Sequence, residues 1–478
     1  MDDSSIIDEA QEPPSKKRKE EESIELPPEL KNVDFSTRIA WRKFHPYSDT
    51  PLPLTPEDTE PVYIEASPAL CHHIHNVSNR ARAGTLHLHG PPIPTPMFMP
   101  VGTKGCLKAV SFHELTTDLQ CPIILANTYH MALQPGTELL HKNGGLRNFQ
   151  GQKGQFNLLT DSGGFQMVSL VKLSQVTEEG VTFESPFDGK PMLLRPEDSM
   201  RHQHEIGADI IMALDDVVSS VAVDPQRFVE ATHRTLRWYD RCYQEHEDHK
   251  QTQNLFPIVQ GGLDTELCGL REQCLAGFRH RDEVDHYTIP GYAIGGLAGG
   301  EEKDSFWRVV DQCCKALPDD KPRYLMGVGY PLDLVVCTAL GCDLYDCVYP
   351  TRTGRFGVAL VPGKAPGTMR LKAKEHVADP KPIQEGCPCQ ACRLGVSRAR
   401  LNGLLKADNP LAVELVTQHN VAYMMSLVRS MRQAILDDSY ADFARDFVKD
   451  QYPGVAKGGE ECPKWVVDAL EAAGIAMK

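Results

Sequence analysis

Eight short apolar runs, each closing on glycine or polar residues, constrain the fold of this chain most. They are PMFMPVG (96 to 102), PIILANTY (122 to 129), NLLTDSGG (157 to 164), ADIIMALDD (208 to 216), LFPIVQGG (255 to 262), YAIGGL (292 to 297), RYLMGVG (323 to 329) and LYDCVYP (344 to 350). Near-continuous apolar character suits strands buried on both faces. The segments between them read as helices. Pro196-Glu197-Asp198 places proline and acids in a first turn, and further helices are predicted to begin near Asp224, Asp264, Glu301 and Pro331. Eight strands alternating with helices predict an α/β protein, a (β/α)8 TIM barrel. An open doubly wound sheet is the alternative, but the first βα turn lacks its GxGxxG fingerprint.

A barrel collects its chemistry where strands end and βα loops begin. Polar and glycine-rich groups recur there: Asn127-Thr128-Tyr129-His130, Asp161-Ser162-Gly163-Gly164, Asp215-Asp216, Gln260-Gly261-Gly262, Gly295-Gly296, Gly327-Val328-Gly329 and Asp346. Any one of them could be a plain turn, since turns use the same residues. Their common register at strand ends marks a candidate site.

A second signal lies near the C-terminus, where Cys387-x-Cys389-x2-Cys392 puts three thiolates in one loop. Tetrahedral zinc needs a fourth ligand, and His419 on a following helical segment suits it, with His376 as the alternative. Four protein ligands leave no open coordination position, so the predicted zinc is structural. The cysteine total of 15 is odd and most of the others sit singly in apolar segments, which predicts buried free thiols and a reducing compartment.

The formal net charge of −15 argues against holding nucleic acid by bulk charge. Its distribution softens the point. Ten acidic residues face four basic ones in residues 1 to 30, whereas residues 351 to 374 carry six basic side chains (Arg352, Arg355, Lys364, Arg370, Lys372, Lys374) and no acidic one. Residues 1 to 68 are predicted to form a disordered acidic tail, in which Lys16-Lys17-Arg18-Lys19 weakly matches a nuclear-import signal. Residues 69 to 375 are the expected catalytic barrel domain, and 376 to 478 a zinc-binding, helical subdomain completing it. With no apolar run near the ~20 residues of a membrane span, the expected location is the cytoplasm, with a nuclear or mitochondrial-surface pool as the alternative.

Several longer motifs carry a family resemblance. TDSGGFQMVSL, IVQGGLDTEL, YAIGGLAGGE, YLMGVGYPLDL, YDCVYPTRTGRFG and the CxCxxC with its distal histidine resemble tRNA-guanine transglycosylase, in order, from about Arg80 to the C-terminus. The resemblance implies exchange of the wobble guanine of GUN anticodons (tRNA Asp, Asn, His and Tyr) for a modified base, without cutting the RNA. Breaking an N-glycosidic bond this way suits double displacement through a covalent aspartyl-RNA ester. By resemblance Asp346 is the nucleophile and Asp161 the proton acceptor and donor. Asp161, Ser162, Gly163, Gly164, Phe165, Asp215, Gln260, Gly295 and Gly296 match positions around the base. Gly327, Val328, Gly329, Tyr330, Pro331, Leu332 and Asp333 match one RNA-contacting segment, and Thr351, Arg352, Thr353, Gly354 and Arg355 another. For Asn127 and His130 a structural role at the barrel mouth weighs equally with direct contact.

Bacterial members usually carry valine where Gly299 stands and cysteine where Val217 stands. The resemblance therefore implies queuine, with its cyclopentene ring, as the incoming base. Eukaryotic catalytic chains act with a related, non-catalytic accessory subunit, and the retention of both aspartates marks this chain as the catalytic member of such a heterodimer. A non-catalytic RNA-binding subunit, and a barrel enzyme acting on a small phosphorylated substrate, are the competing readings.

Overall fold

A computed structural model describes residues 68–152, 154–164, 175–184, 189–363, 365–454 and 459–477. The predicted acidic tail to residue 67, Phe165 and Lys364 lie outside the described residues.

The described chain opens on an antiparallel sheet of β1 (Cys71–Ser78), β2 (Ala81–His87) and β3 (Ile93–Thr95). Asn79 at φ 57° supplies the left-handed residue that the two-residue β1–β2 connection needs. Every one of the eight apolar runs then contains a strand. They are β4 (Met97–Pro100), β5 (Ile123–Ala126) and β6 (Asn157–Thr160), followed after an inserted antiparallel sheet by β10 to β15. The insertion consists of β7 (Gln175–Val176), β8 (Val181–Glu184) and β9 (Pro191–Leu194). The later parallel strands are β10 (Ile210–Met212), β11 (Asn254–Phe256), β12 (Ile258–Val259), β13 (Tyr292–Ile294), β14 (Arg323–Leu325) and β15 (Leu344–Cys347).

The fold is mixed α/β with parallel sheets. One sheet runs β11-β10-β6-β5 and the other β12-β13-β14-β15-β4, with every neighbouring pair parallel. Pro257, lacking an N–H, separates β11 from β12 within one run, so that run belongs to both sheets. At the other junction Val101 and Leu125 form a parallel bridge that continues β4 towards β5. The strands are buried on both faces: Ile210, Ile211, Met212, Tyr292, Ala293 and Ile294 are all inaccessible to solvent.

Helices follow the strands as Pro196–Ile206, Pro225–His246, Leu270–Glu283, Lys303–Ala316 and Pro331–Leu340. Asp224 caps the second of these by accepting from the Gln226 and Arg227 amides, and Pro225 occupies its first turn. The helix expected near Asp264 starts at Leu270 instead. Asp264 uses both carboxylate oxygens inside the loop, accepting from Glu266 N at 3.2 Å and Leu270 N at 2.8 Å. After β15 come the short helix Tyr349–Arg355, then β16 (Val358–Leu360) and β17 (Thr368–Arg370), which pair with each other. The 27-residue helix Pro410–Leu436 packs against Tyr349–Arg355 and against β1, β2, β4 and β16. No helix among the described residues is long and apolar enough to cross a membrane.

Candidate active site and metal centre

Three aspartates stand where parallel strands end: Asp161 after β6, Asp215 after β10, and Asp346 in the last residues of β15. All three are buried. Asp161 takes Asn127 Nδ2 on Oδ2 at 2.6 Å and the Thr128 amide on Oδ1 at 3.0 Å. Burial pushes its carboxyl up to about 7, with the Thr128 N–H pulling down and the charge of Asp346 pushing further up. A carboxyl at that value can give or take a proton near neutral pH.

Asp346 is held asymmetrically. Tyr324 donates its hydroxyl to Oδ1 at 2.6 Å and Gly327 donates its amide to the same oxygen at 2.7 Å. Oδ2 accepts no hydrogen bond among the described residues. Gly327 reaches this position at φ 74°, a backbone conformation that side chains disfavour. Burial raises the Asp346 carboxyl, and the two donors to Oδ1 oppose the rise.

Asp215 accepts from Ser162 Oγ at 3.1 Å and from Gln260 Nε2 at 2.7 Å, and burial pushes its carboxyl up to about 6. A side chain at Gly296 would strike Gln260 Oε1, and one at Gly295 would strike Ile258, so both glycines keep this wall open. Gly164 packs against Leu214 and Asp215, and Gly163 turns at φ 81°. His130 stays at the rim, giving its amide to Asn127 Oδ1 at 2.9 Å. Asn127 thus connects the loop to Asp161. The side chain missing at Gly299 points at Ser220 Oγ, 2.5 Å from where a Cβ would stand, so glycine there makes room for Ser220 and does not by itself enlarge a cavity.

The two segments expected to face RNA divide by exposure. Gly327, Tyr330 and Arg352 are open to solvent, Thr353 and Arg355 are half-buried, and Val328, Gly329, Pro331, Leu332, Asp333, Thr351 and Gly354 are buried. Asp333 pairs with Lys303 at 2.5 Å, and a Cβ on Gly354 would lie 2.8 Å from Thr417 Cα in the long helix.

Sequence reasoning missed several residues. Neither Tyr324 nor Arg271 is singled out in the sequence, yet Tyr324 donates to Asp346 and Arg271 to the carbonyls of Val259, Gly295 and Gly262 beneath the glycine turns. Phe356, 71% exposed beside the basic helix, is another that the motifs do not single out. Strand alternation alone could have flagged Tyr324, which lies two residues before the loop that reaches Asp346.

The cysteine cluster assembles as expected. Cys387, Cys389 and Cys392 Sγ lie 3.4, 3.4 and 3.5 Å from His419 Nδ1, and all four atoms lie within 4.8 Å of one another, so the group can hold a metal ion. His419 Nε2 lies 2.8 Å from the Leu360 carbonyl, a second bond that orients the ring with Nδ1 towards the sulfurs. His376 stands apart, between Glu375 and Asp379. Next to His419, Asn420 donates to the Pro350 and Val358 carbonyls at 3.0 and 2.9 Å and accepts from Leu360 N at 2.8 Å. The cysteine–histidine cluster is thereby tied to the segment that follows Asp346.

Comparison with known proteins identifies the family. The queuine tRNA-ribosyltransferase family model matches residues 77–453. The chain is 46% identical to the queuine tRNA-ribosyltransferase catalytic subunit of Schizosaccharomyces pombe over 404 residues, 83% of this chain and 95% of that one. The catalytic subunit of Caenorhabditis elegans is 44% identical over 403 residues (82% and 96%), and a queuine tRNA-ribosyltransferase of Thermus thermophilus is 43% identical over 400 (83% and 97%). With its strand-end aspartates, its Cys3His centre and this continuous match, the chain belongs to the queuine tRNA-ribosyltransferase family.

Proposed function

We propose that this protein is the catalytic chain of a tRNA base-exchange enzyme, a pentosyltransferase that replaces the wobble guanine of GUN anticodons in tRNA Asp, Asn, His and Tyr with queuine. The observation that carries the reading is the asymmetric clamp on Asp346. With Oδ1 fixed by Tyr324 and Gly327, Oδ2 is the oxygen placed to attack. Attack on C1′ of the ribose breaks the N-glycosidic bond and forms a sugar ester, while Asp161 in its acid form gives its proton to the departing guanine. Asp161, now ionised, takes the ring proton of the incoming base, whose nitrogen displaces Asp346 from C1′ with net retention. Asp215 and Gln260, with the space kept by Gly295 and Gly296, read the edge of a base splayed out of the anticodon loop. Tyr330, Arg352, Arg355 and Phe356 supply the RNA-facing surface, and their buried neighbours hold them in place.

The split run at Pro257 and the Val101–Leu125 bridge support closure of the two sheets into one (β/α)8 barrel over residues 69 to 375, with 376 to 478 completing it. Zinc is the metal that fits the Cys3His centre. Tetrahedral bonds of about 2.3 Å to sulfur and 2.0–2.1 Å to nitrogen place those atoms about 3.5 Å apart, as found around His419. Its part is structural, holding the helix whose Asn420 grips the segment after Asp346. Queuine as the incoming base follows the names of the relatives, and an accessory subunit follows the name "catalytic subunit". The chain carries no apolar span among its described helices, and we place it in the cytoplasm.

Incubation with labelled guanine and a GUN-anticodon tRNA, with and without the accessory subunit, tests the reading. Label should enter the tRNA, and queuine should chase it out. An absence of exchange under both conditions would favour the non-catalytic RNA-binding reading.

A further inference from the structure

Two buried carboxylates follow one another at the exit of β10, and the chain turns them to opposite sides, as successive residues of extended backbone do. Asp215 faces Ser162 and Gln260 in the site. Asp216, whose side chain has no exposure, faces the helix Pro225–His246. There Arg227 binds both of its oxygens and Arg234 donates to Oδ2 at 2.6 Å. The Asp216 amide donates to Thr235 Oγ1 on the same helix at 3.1 Å. Main chain and side chain of Asp216 are therefore both fixed to one rigid element, and that fixes where Asp215 points.

The charge balance carries the argument further. Adjacent buried carboxylates repel each other, and the two guanidiniums behind Asp216 offset that repulsion. Arg234 also approaches Glu178 at 3.4 Å, and Glu178 takes Arg237 at 2.8 Å, so the cluster continues into the inserted β7–β9 sheet. The other charged or titratable groups found near Asp215 among the described residues are two thiols and an arginine. Cys242, on the helix Pro225–His246, is pushed up to about 12 by burial, and Cys274, on Leu270–Glu283, to about 11, so both stay neutral. Arg271, on the latter helix, is occupied by backbone carbonyls.

We propose that the Asp216–Arg227–Arg234 cluster is a positioning device for the base-reading carboxylate, aiming Asp215 into the site and setting the charge behind it. This rests on the reading of Asp215 given above. Removing the negative charge at 216 leaves two guanidiniums uncompensated behind Asp215 and favours its ionised form, which accepts hydrogen bonds from a base. Removing a cation does the reverse.

The test is KM for guanine in tRNA exchange across neutral pH, on the full chain, with kcat measured alongside. In the parent protein KM should rise as pH falls through about 6, where Asp215 gains a proton. Asp216→Asn should move that rise to lower pH by about 1 unit and Arg227→Gln to higher pH by a similar amount, carried by KM and not by kcat. Arg227→Lys should restore the parent profile. Arg227 is partly exposed, so its variants decide the matter if Asp216→Asn does not fold. Shifts in the same direction, or an unmoved profile with a uniform loss of kcat, would show the cluster to be merely structural. Asp215→Asn serves as the control: if it leaves KM for guanine unchanged, the base-reading role of Asp215 fails and this proposal with it.

Discussion

The two ends of the same strands treat buried carboxylates differently. Just before β10 and β15 begin, Asp209 and Asp343 are ion-paired. Arg147 donates to both oxygens of Asp209 at 2.8 and 3.0 Å, and Arg82 does the same for Asp343. Backbone amides of Leu158 and Arg323 add to each pair. Where those strands end, Asp215 and Asp346 are also buried, yet neither has an ion pair among the described residues. Their donors are a hydroxyl, an amide side chain, a phenol and a peptide N–H. Burial raises Asp209 as well, but Arg147 pulls it back; at Asp346 only the neutral donors oppose the rise. One residue type on one set of strands is therefore ion-paired at one end and left without a cation at the other. What separates the two is whether a cation compensates the charge.

That contrast can be broken experimentally, most severely at Asp346. Asp346→Asn should lower guanine exchange ~10⁴-fold or more while tRNA still binds. Its melting temperature should hold or rise, because a buried charge is removed; a clear fall would place Asp346 with the structural carboxylates. At the opposite strand end, Arg82→Ala should cost ~3–5 kcal/mol of stability in denaturant unfolding by leaving Asp343 buried without its partner. Exchange per folded molecule should stay near the parent value. Cys389→Ser should lower the bound metal, read by metal analysis, and weaken tRNA binding while guanine affinity of the folded fraction persists. An equal loss of both affinities would contradict the link through His419 and Asn420.

The smallest effect concerns pH. If Asp161 donates the proton as proposed, exchange should fall as pH rises through its value of about 7. The Asn127 amide lowers that value, so Asn127→Ala should raise it and move the alkaline fall in exchange to higher pH by less than about 1 unit. The absence of an alkaline fall, with an acid-side fall that moves to higher pH in Asn127→Ala, would mean that Asp161 acts only as a base.

Much of the frame was readable from the chain because parallel strands covered on both faces leave an unmistakable apolar run, and each of the eight runs holds one. β1 and the β7–β9 insertion left no such mark, being partly exposed, and β2 left none because its buried residues, ARAGTLH, are of mixed polarity. The helix start slipped from Asp264 to Leu270 because a turn and a cap use the same aspartate chemistry. In the candidate site, the strand-end places of Asp161, Asp215 and Asp346 were legible from the apolar runs they close, and the three clustered cysteines from their spacing.

The sequence by itself determined the alternation of strands and helices, the strand-end position of the aspartates and the three clustered cysteines, since all of these depend on local periodicity and spacing, whereas the choice of His419 over His376 beside them came from the fold. Only the tertiary structure decided which carboxylates are compensated. Asp343 meets Arg82 across 261 residues and Asp346 meets Tyr324 across 22, and those partners are chosen by strand register and helix packing, not by proximity in the chain.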